Sequence, residues 1–458
     1  MNILNKLFNK YIWVFFIVLL IALPTLIAAN FNSLKSPEKL IVKPVSNESN
    51  LQIYNSIRRL TPLDTSFTMP QNFKEVSKIN RVDLDSDGIE DIVAFKKKNN
   101  ENQGTSNIYM YMFNMQSGQI SEDDESIVRI PGETIKYANF IDLDNDGKKE
   151  IILHINSLGY ENIYVYSYED GNIKKKAEYN SSETSIKLNF FDYDNDGHME
   201  CLALIQSQKN YEVSICGMRL ENNNIQFDKY DTSYTVESLD KVEILNGRLS
   251  NKYLGSVITY QSLRGSSVNQ LIIYRNSRFE KVIKNESNIA INPYNLRAED
   301  MNGDGILDLP KIEEGLTNSN NKDNIIISWY DWNGKLEEKK EVLTRIGQNF
   351  YSFTYNFKQV IPDILRDKIY IKVENKDNKD EYSIYYINDK SKVELLTYTV
   401  IPKASANYEN IDKEDVKTRV LFETEDYVCI LKKSNETMLK KYGVNLNRIS
   451  KTFVLINK

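Results

Sequence analysis

Apolar and polar positions alternate in short blocks along most of the chain. Runs such as "DIVAFKK" (91–97), "EIILHIN" (150–156) and "ECLALIQ" (200–206) are apolar, β-rich and too short for helices. They are bounded by Asp, Asn and Gly, which predicts strands entered from tight turns. A Tyr/Ile-rich run follows each time: "NIYMYMF" (107–113), "NIYVYSY" (162–168), "YEVSICG" (211–217), "NQLIIYR" (269–275) and "IIISWYDW" (325–332). Then comes a polar turn, such as "EDGNIKKK" (169–176) or "NGKLEEKK" (333–340), and a further strand. The pattern predicts about four strands per unit of roughly 50–60 residues, the size and content of a propeller blade. One block is different. Residues 12–29, "IWVFFIVLLIALPTLIAA", carry no charge and follow Lys6 and Lys10. As a helix they span about 27 Å, close to a bilayer core. The lysines orient the N-terminus inward and the rest of the chain outward. A cleaved signal peptide is the other reading, with Ile27 where a small residue is usual. Either way, residues 30–458 are expected outside the cytoplasmic membrane.

The polar turn that opens each unit repeats. "DLDSDGIED" (83–91) recurs as "DLDNDGKKE" (142–150), "DYDNDGHME" (192–200) and "DMNGDGILD" (300–308). The shared form is D-x-[DN]-x-D-G-x-x-[DE]. Carboxylates at positions 1, 3 and 5 can converge on one cation if the chain wraps around it. Glycine at position 6 permits the sharp turn. Position 7 offers a carbonyl, and the acid at position 9 closes the shell. An all-oxygen, flexible donor set suits Ca²⁺ better than Mg²⁺ or zinc. An EF-hand begins alike but needs a bidentate Glu at position 12 and flanking helices. Position 12 here is Ala94, Leu153, Ala203 or Lys311, and the flanks are strands.

Spacing adds a silent copy. Asp142 follows Asp83 by 59 residues and Asp192 follows Asp142 by 50, whereas the gap from Asp192 to Asp300 is about twice as long. The skipped unit is "KVEILNGRLSNKYLGSVITYQ" (241–261), with strand, polar turn and strand. No Asp or Glu lies between Glu243 and Glu280, so this unit keeps the strand pattern without metal-ligating side chains.

Composition narrows the function. The chain has 458 residues and a net charge of −6, so no basic field points to nucleic acid. Cys201, Cys216 and Cys429 are too few for a disulfide-stapled secreted fold and read as small buried residues. A Cys201–Cys216 bridge is the alternative, since both lie in runs one hairpin apart. His154 sits in the strand "IILHI" and reads as packed or surface histidine; His198 is at position 7 of a loop. Arg58 and Arg59 read as a solvated pair or a small anion site. No nucleophile elbow, nucleotide-binding glycine loop or zinc-type Cys/His spacing occurs, so no catalytic residue is expected.

With these residues in view, residues 78 to 345 resemble the FG-GAP/VCBS repeat family, the calcium-loop propeller units found in integrin α-subunit heads and many bacterial surface proteins. The "FG…GAP" sequence of integrins is not evident, so the bacterial branch is the better match. The resemblance implies structural Ca²⁺, about four ions, on Asp83, Asp85, Asp87 and Asp91; on Asp142, Asp144, Asp146 and Glu150; on Asp192, Asp194, Asp196 and Glu200; and on Asp300, Asn302, Asp304 and Asp308. Asn302 departs from the pattern and lowers the ligand charge of the last site. Four ions would carry the net charge from −6 to about +2.

The expected organisation is a cytoplasmic stub with anchor or signal peptide (1–29), a linker (30–50), a mainly β, FG-GAP/VCBS-like β-propeller (51–345), and a small C-terminal α+β domain (346–458). Two degenerate blades completing a seven-bladed propeller are the alternative for that last region. In it, "NETMLKKYG" (435–443) reads as a helix with Asn435 as N-cap and Gly443 just past its end. Residues 51–77, including "IRRL" (57–60), are read as a strand closing the ring. The functional expectation is a non-enzymatic, calcium-stabilised cell-surface binding or scaffold protein, held to the membrane by its N-terminal helix, with a protein or glycan ligand. Alternatives are a subunit of a membrane-bound envelope complex and a surface carbohydrate-active enzyme.

Overall fold

Strand Glu150–Ser157 is buried along its first six residues, which explains why its sequence is continuously apolar rather than alternating. Ile151, Leu153 and Ile155 pack against one neighbouring sheet and Ile152 against another. A strand covered on both faces has no solvent side to pattern for. The computed structural model describes residues 48–100, 105–116, 119–169, 171–261, 266–283, 290–292, 296–318, 323–336, 342–376, 379–388, 391–404, 419–444 and 449–456. The apolar run 12–29 and most of the 30–50 linker lie outside them. Among the described residues no helix is long and apolar enough to cross a membrane.

The chain is mainly β, and the described residues form six antiparallel sheets of four or five strands. The second sheet is a simple meander of Thr134–Ile141, Glu150–Ser157, Tyr160–Glu169 and Asn172–Ser181. The third repeats it with Thr184–Phe191, Glu200–Ser207, Glu212–Glu221 and Asn224–Thr235. The first sheet, from Ile79–Val82 to Gln119–Pro131, precedes them. The fourth opens with Val242–Arg248 and Leu254–Gln261, the unit expected from the acid-free stretch. Successive sheets pack face to face through one apolar cluster each. Leu188 and Ala203 meet Ile163 between the third and second sheets, and Ile258 meets Leu202 between the fourth and third. This succession is consistent with a propeller-like arrangement.

Two expectations change. Residues 51–60 are not a strand. They lie in helix α1, Glu48–Leu60, whose Ile53 and Ile57, one turn apart, cover Ile92, Ala94 and Phe113 on the outer face of the first sheet. Only Ser66–Phe67 adds a short strand there, beside Asp91–Asn100. Arg58 and Arg59 are exposed in the last turn of α1.

The boundary drawn at 345/346 falls within strand Leu343–Ser352, which belongs to the fifth sheet with Leu309–Ile312 and Asn324–Trp332. The last strand, Phe453–Leu455, returns to the same sheet by pairing with Phe357–Val360. The sixth sheet, Ile369–Lys376 to Tyr427–Ser434, packs on the fifth through Phe350, Phe357, Tyr382 and Tyr398. Helix α2, Glu436–Lys441, is capped by Asn435, whose side chain accepts from the Met438 N–H at 3.2 Å; Gly443 follows with φ +65°. The three cysteines are buried and free. Cys201 lies opposite Met218 and Cys216 opposite Ala203, so the register separates the two sulfurs that a bridge would join.

The acid-free turn of the fourth sheet is filled by packing. Leu249 is fully buried with Val257, Leu271 and Trp332. The Ser250 hydroxyl accepts from the N–H groups of Lys252 and Tyr253 at 3.3 and 3.2 Å. Gly255 sits under Leu249. A Cβ there would meet the Ile272 carbonyl oxygen at 2.3 Å and Leu249 Cδ1 at 2.5 Å. Gly255→Ala should therefore destabilise the protein by about 1–3 kcal/mol through overpacking. Denaturant melts read this directly; an unchanged midpoint would contradict the close approach.

Candidate metal centres

The four acidic turns share one internal wiring. The position-1 aspartate accepts from the glycine N–H at position 6: Asp83 from Gly88 (3.0 Å), Asp142 from Gly147 (2.9 Å), Asp192 from Gly197 (3.0 Å) and Asp300 from Gly305 (2.9 Å). The position-5 acid accepts from position 7: Asp87 from Ile89 (2.7 Å), and Asp146, Asp196 and Asp304 from Lys148, His198 and Ile306 (2.8 Å each). The position-9 acid reaches back to position 2: Asp91 to Leu84 (3.2 Å), Glu150 to Leu143 (2.8 Å), Glu200 to Tyr193 (2.9 Å) and Asp308 to Met301 (2.7 Å). Glycine at position 6 has φ between +83° and +93° in all four turns, a conformation that strains any residue with a Cβ.

This wiring turns the carboxylates inward. Oxygens of Asp83, Asp85 and Asp87 lie within 4.8 Å of one another, as do those of Asp142, Asp144 and Asp146, and those of Asp192, Asp194 and Glu200. The sequence-predicted ligands are thus brought together in the first three turns, except that Asp91, Glu150 and Asp196 stand outside these tight triads. In the fourth turn Asn302 bonds Asp304 at 2.9 Å and no acidic triad forms. Three position-9 acids are drawn inward where a strand begins, at its first residue for Asp91 and Glu150 and just before it for Asp308: they are 6%, 1% and 0% exposed. Burial, then the charges of Asp85, Asp87 and Asp83, pushes Asp91 up to about 6. Burial, then Asp331, pushes Asp308 up to about 8. Burial also raises Glu150, Glu200 and Asp194. Asp83 Oδ1 and Asp308 Oδ1 are buried with no donor among the described residues. Clustered hard oxygen donors, two of them buried and orphaned, fit a divalent cation such as Ca²⁺.

Strands outside the turns contribute groups that no local motif marked. Lys176 donates to Asp144 at 2.5 Å and to Glu150 at 2.9 Å, placing an ammonium against the second turn. Its burial opposes the charge, but these two bonds outweigh it and raise its pKa. Asp331 reaches Asp308 in the fifth sheet. Neighbouring turns also touch. Ser86 donates to the Gly147 carbonyl, and the Lys149 N–H donates to the Leu84 carbonyl at 2.8 Å.

Between the sheets lies a cavity of about 690 Å³, lined by strands of the second, third and fourth sheets and by connecting residues near Asn72, Leu239 and Arg297. Lys74, Lys136, Lys187 and Arg297 face it, with Glu75, Asp240 and Glu243. Arg297 pairs with Glu243 at 2.7 Å. The Lys187 ammonium donates to the Val242 carbonyl at 2.6 Å, and burial lowers its pKa. His154 is 1% exposed; its Nε2 lies 2.6 Å from Glu161, which also accepts from Lys136 at 2.7 Å. Burial alone would raise Glu161, but its bonds to His154 and Lys136 hold its carboxyl below the usual range. These cross-strand groups carry no sequence signal beyond residue type, because register decides which of them meet.

Residues 142–203 match the model of the FG-GAP-like repeat, so the chain contains at least one repeat of that family. The match runs from the second turn through the last three strands of the second sheet and the first strand of the third to just past the third turn. Among curated proteins none matches the chain. Solved structures align loosely. AofleA from Arthrobotrys oligospora is 12% identical, over 74% of this chain and 85% of its own, with a TM-score of 0.24. The exo-beta-1,3-galactanase from Phanerochaete chrysosporium is 10% identical, over 75% and 80%, with a TM-score of 0.24. The exotype rhamnogalacturonan lyase YesX is 10% identical, over 69% and 64%, with a TM-score of 0.27.

Two outcomes follow from these electrostatics. Asp91 and Asp308 have folded pKa values above their unfolded ones, so their protonated forms favour folding. The penalty is nil below the ordinary aspartate range and complete above the folded values. Chelated protein should lose stability as pH rises from about 4 to about 8, and urea melts across that range check it. Glu161 has the opposite sign: its contribution is present above the unfolded value and fades as pH falls through the depressed folded one. Glu161→Gln should cost about 3 kcal/mol at neutral pH by stranding Lys136 and His154. In the same melts, its deficit relative to wild type should shrink in acid.

Proposed function

We propose that this chain is a non-enzymatic binding or scaffold protein of the cell surface, a β-propeller whose blades are pinned by calcium. The observation that carries this reading is the repeated turn. Four times, the position-9 acid is anchored to position 2 and the position-1 aspartate to a left-handed glycine, and in the first three turns the carboxylates converge at the junction of two strands. Such clusters repel without a cation and become cross-links with one. Asp83, Asp85, Asp87 and Asp91 would hold the first ion, and the equivalent residues of the other turns the rest. The ion supplies charge neutralisation. The chain's own N–H groups set the carboxylate orientations beforehand.

The cavity would seat the ligand. Two of its three lining carboxylates are already engaged: Glu243 by Arg297, and Glu75 by the Asn72 amide at 3.2 Å. Carboxylates held this way suit hydrogen bonding to a polar ligand, such as a glycan hydroxyl array, better than proton transfer to a scissile bond. The apolar N-terminal segment would hold the module at the membrane, or direct its export if cleaved.

Calcium depletion tests the pin. Excess EDTA should lower the melting temperature of the full-length protein, and calcium should restore it. At free calcium about a hundredfold above Kd, each occupied turn adds about 2.7 kcal/mol, and surface-type sites have Kd on the order of 10⁻⁴–10⁻³ M. Indifference to both additions would sink the reading. Binding is tested with panels of envelope glycans and proteins, using Arg297→Ala to open the rim of the cavity. Retention of a glycan that the variant loses at least tenfold is the expected result. Turnover of a glycan would instead favour the carbohydrate-active reading, and recovery in a stoichiometric membrane assembly the envelope-complex one.

A further inference from the structure

Register places one residue of a neighbouring strand opposite each position-9 acid. Ile92 pairs with Phe113, Ile151 with Tyr166, Cys201 with Met218 and Leu309 with Tyr330. Continued one step past these last pairs, each antiparallel ladder would set Asp91 against Asn114, Glu150 against Ser167, Glu200 against Arg219 and Asp308 against Asp331. In three sheets this opposite residue is engaged elsewhere. Asn114 accepts from the Tyr168 hydroxyl at 2.7 Å, Ser167 donates to Glu169 at 3.0 Å, and Arg219 pairs with Asp228 at 2.6 Å. Asp331 differs. It lies within hydrogen-bonding reach of Asp308, yet Oδ1 of each has no donor among the described residues. Asp308 is fully buried.

Two carboxyls facing each other in a buried place need something between them, either a proton or a cation. The same turn is the one that lost a charge, with Asn302 at position 3 where the other turns have Asp85, Asp144 and Asp194. We infer that Asp331 is a further ligand of the fourth turn's divalent cation, a donor from outside the turn that restores the carboxylate withdrawn at Asn302. The fourth site is then Asp300, Asn302, Asp304, Asp308 and Asp331, built from a turn and the strand beside it. The inference rests on the calcium reading of the turns and adds a residue that the repeat motif does not contain.

The sequence supplies a reporter for this one site. The tryptophans are Trp13, Trp329 and Trp332, and the last two flank Asp331 on its strand. In a full-length Trp13→Phe chain, terbium luminescence sensitised through tryptophan reports the fourth turn, while the other three turns lie in sheets with no tryptophan. Terbium should bind with calcium-competable luminescence. Asp331→Asn should weaken that binding 10–100-fold, and adding Asn302→Asp should recover most of the loss. Unchanged terbium affinity in Asp331→Asn, together with a higher melting temperature in EDTA, would mean a shared proton and overturn the inference. If Asp331→Asn does not fold, Asp331→Ser repeats the comparison. Failure of the calcium reading looks different: wild-type protein would then show no calcium-competable luminescence and no change in melting temperature with EDTA.

Discussion

Packing of each inner sheet between its two sequence neighbours is the constraint on which the rest depends. It buries the second strand of a unit on both faces, so polar groups are expelled toward the strand ends or must find a buried partner. His154 is the case of a polar residue kept inside, and it holds Glu161, which in turn holds Lys136. The acidic turns are the case of polar groups expelled to the junction. The position-9 acid belongs to both regimes, because it is the last residue of the turn and stands at the start of the buried strand. Asp91 and Asp308 are raised for that reason, burial acting first and neighbouring acids second. A cation at the junction would relieve the one place where packing and charge conflict.

Much of this was legible locally. The D-x-[DN]-x-D-G-x-x-[DE] turns, the strands around them and the Asn435-capped helix are written within ten residues or so of sequence. The acid-free unit was legible by spacing, since Val242–Arg248 and Leu254–Gln261 stand where the missing copy was expected. What stayed hidden is set by register or by long return paths. Helix α1 was missed because only Ile53, Ile57 and Leu60 carry its apolar stripe within a polar segment. The domain boundary was misplaced because Phe453–Leu455 comes back across the whole sixth sheet to pair with Phe357–Val360. Lys176, Asp331 and the Lys136–Glu161–His154 group meet only when strands are aligned, and a shift of two residues is enough to keep Cys201 from Cys216.

The fourth sheet shows what the fold achieves without an acidic turn. Its turn has no carboxylate, yet it takes part in the same contact between neighbouring turns: the Leu307 N–H donates to the Arg248 carbonyl at 2.8 Å, as the Lys149 N–H donates to Leu84. In these two cases position 8 of a turn binds the preceding turn, once where that turn carries acids and once where it does not. Joining the sheets is therefore the work of backbone bonds and apolar clusters. In the fourth sheet Leu249 fills the junction that carboxylates occupy elsewhere. An apolar plug and an acid cluster are two solutions to one problem, closing a sharp turn at the edge of a buried interface.

The two solutions differ in what they respond to. A leucine plug is permanent, whereas an acid cluster gains its cohesion only from the medium around it. Each sheet here contacts its sequence neighbours through separate clusters, so local changes add along the array rather than acting on one shared core. Losing cations should then loosen the first three turns and the fifth sheet individually, with the fourth sheet holding firm between them. Packing of this kind lets each turn loosen or tighten without disturbing the apolar clusters that join the sheets.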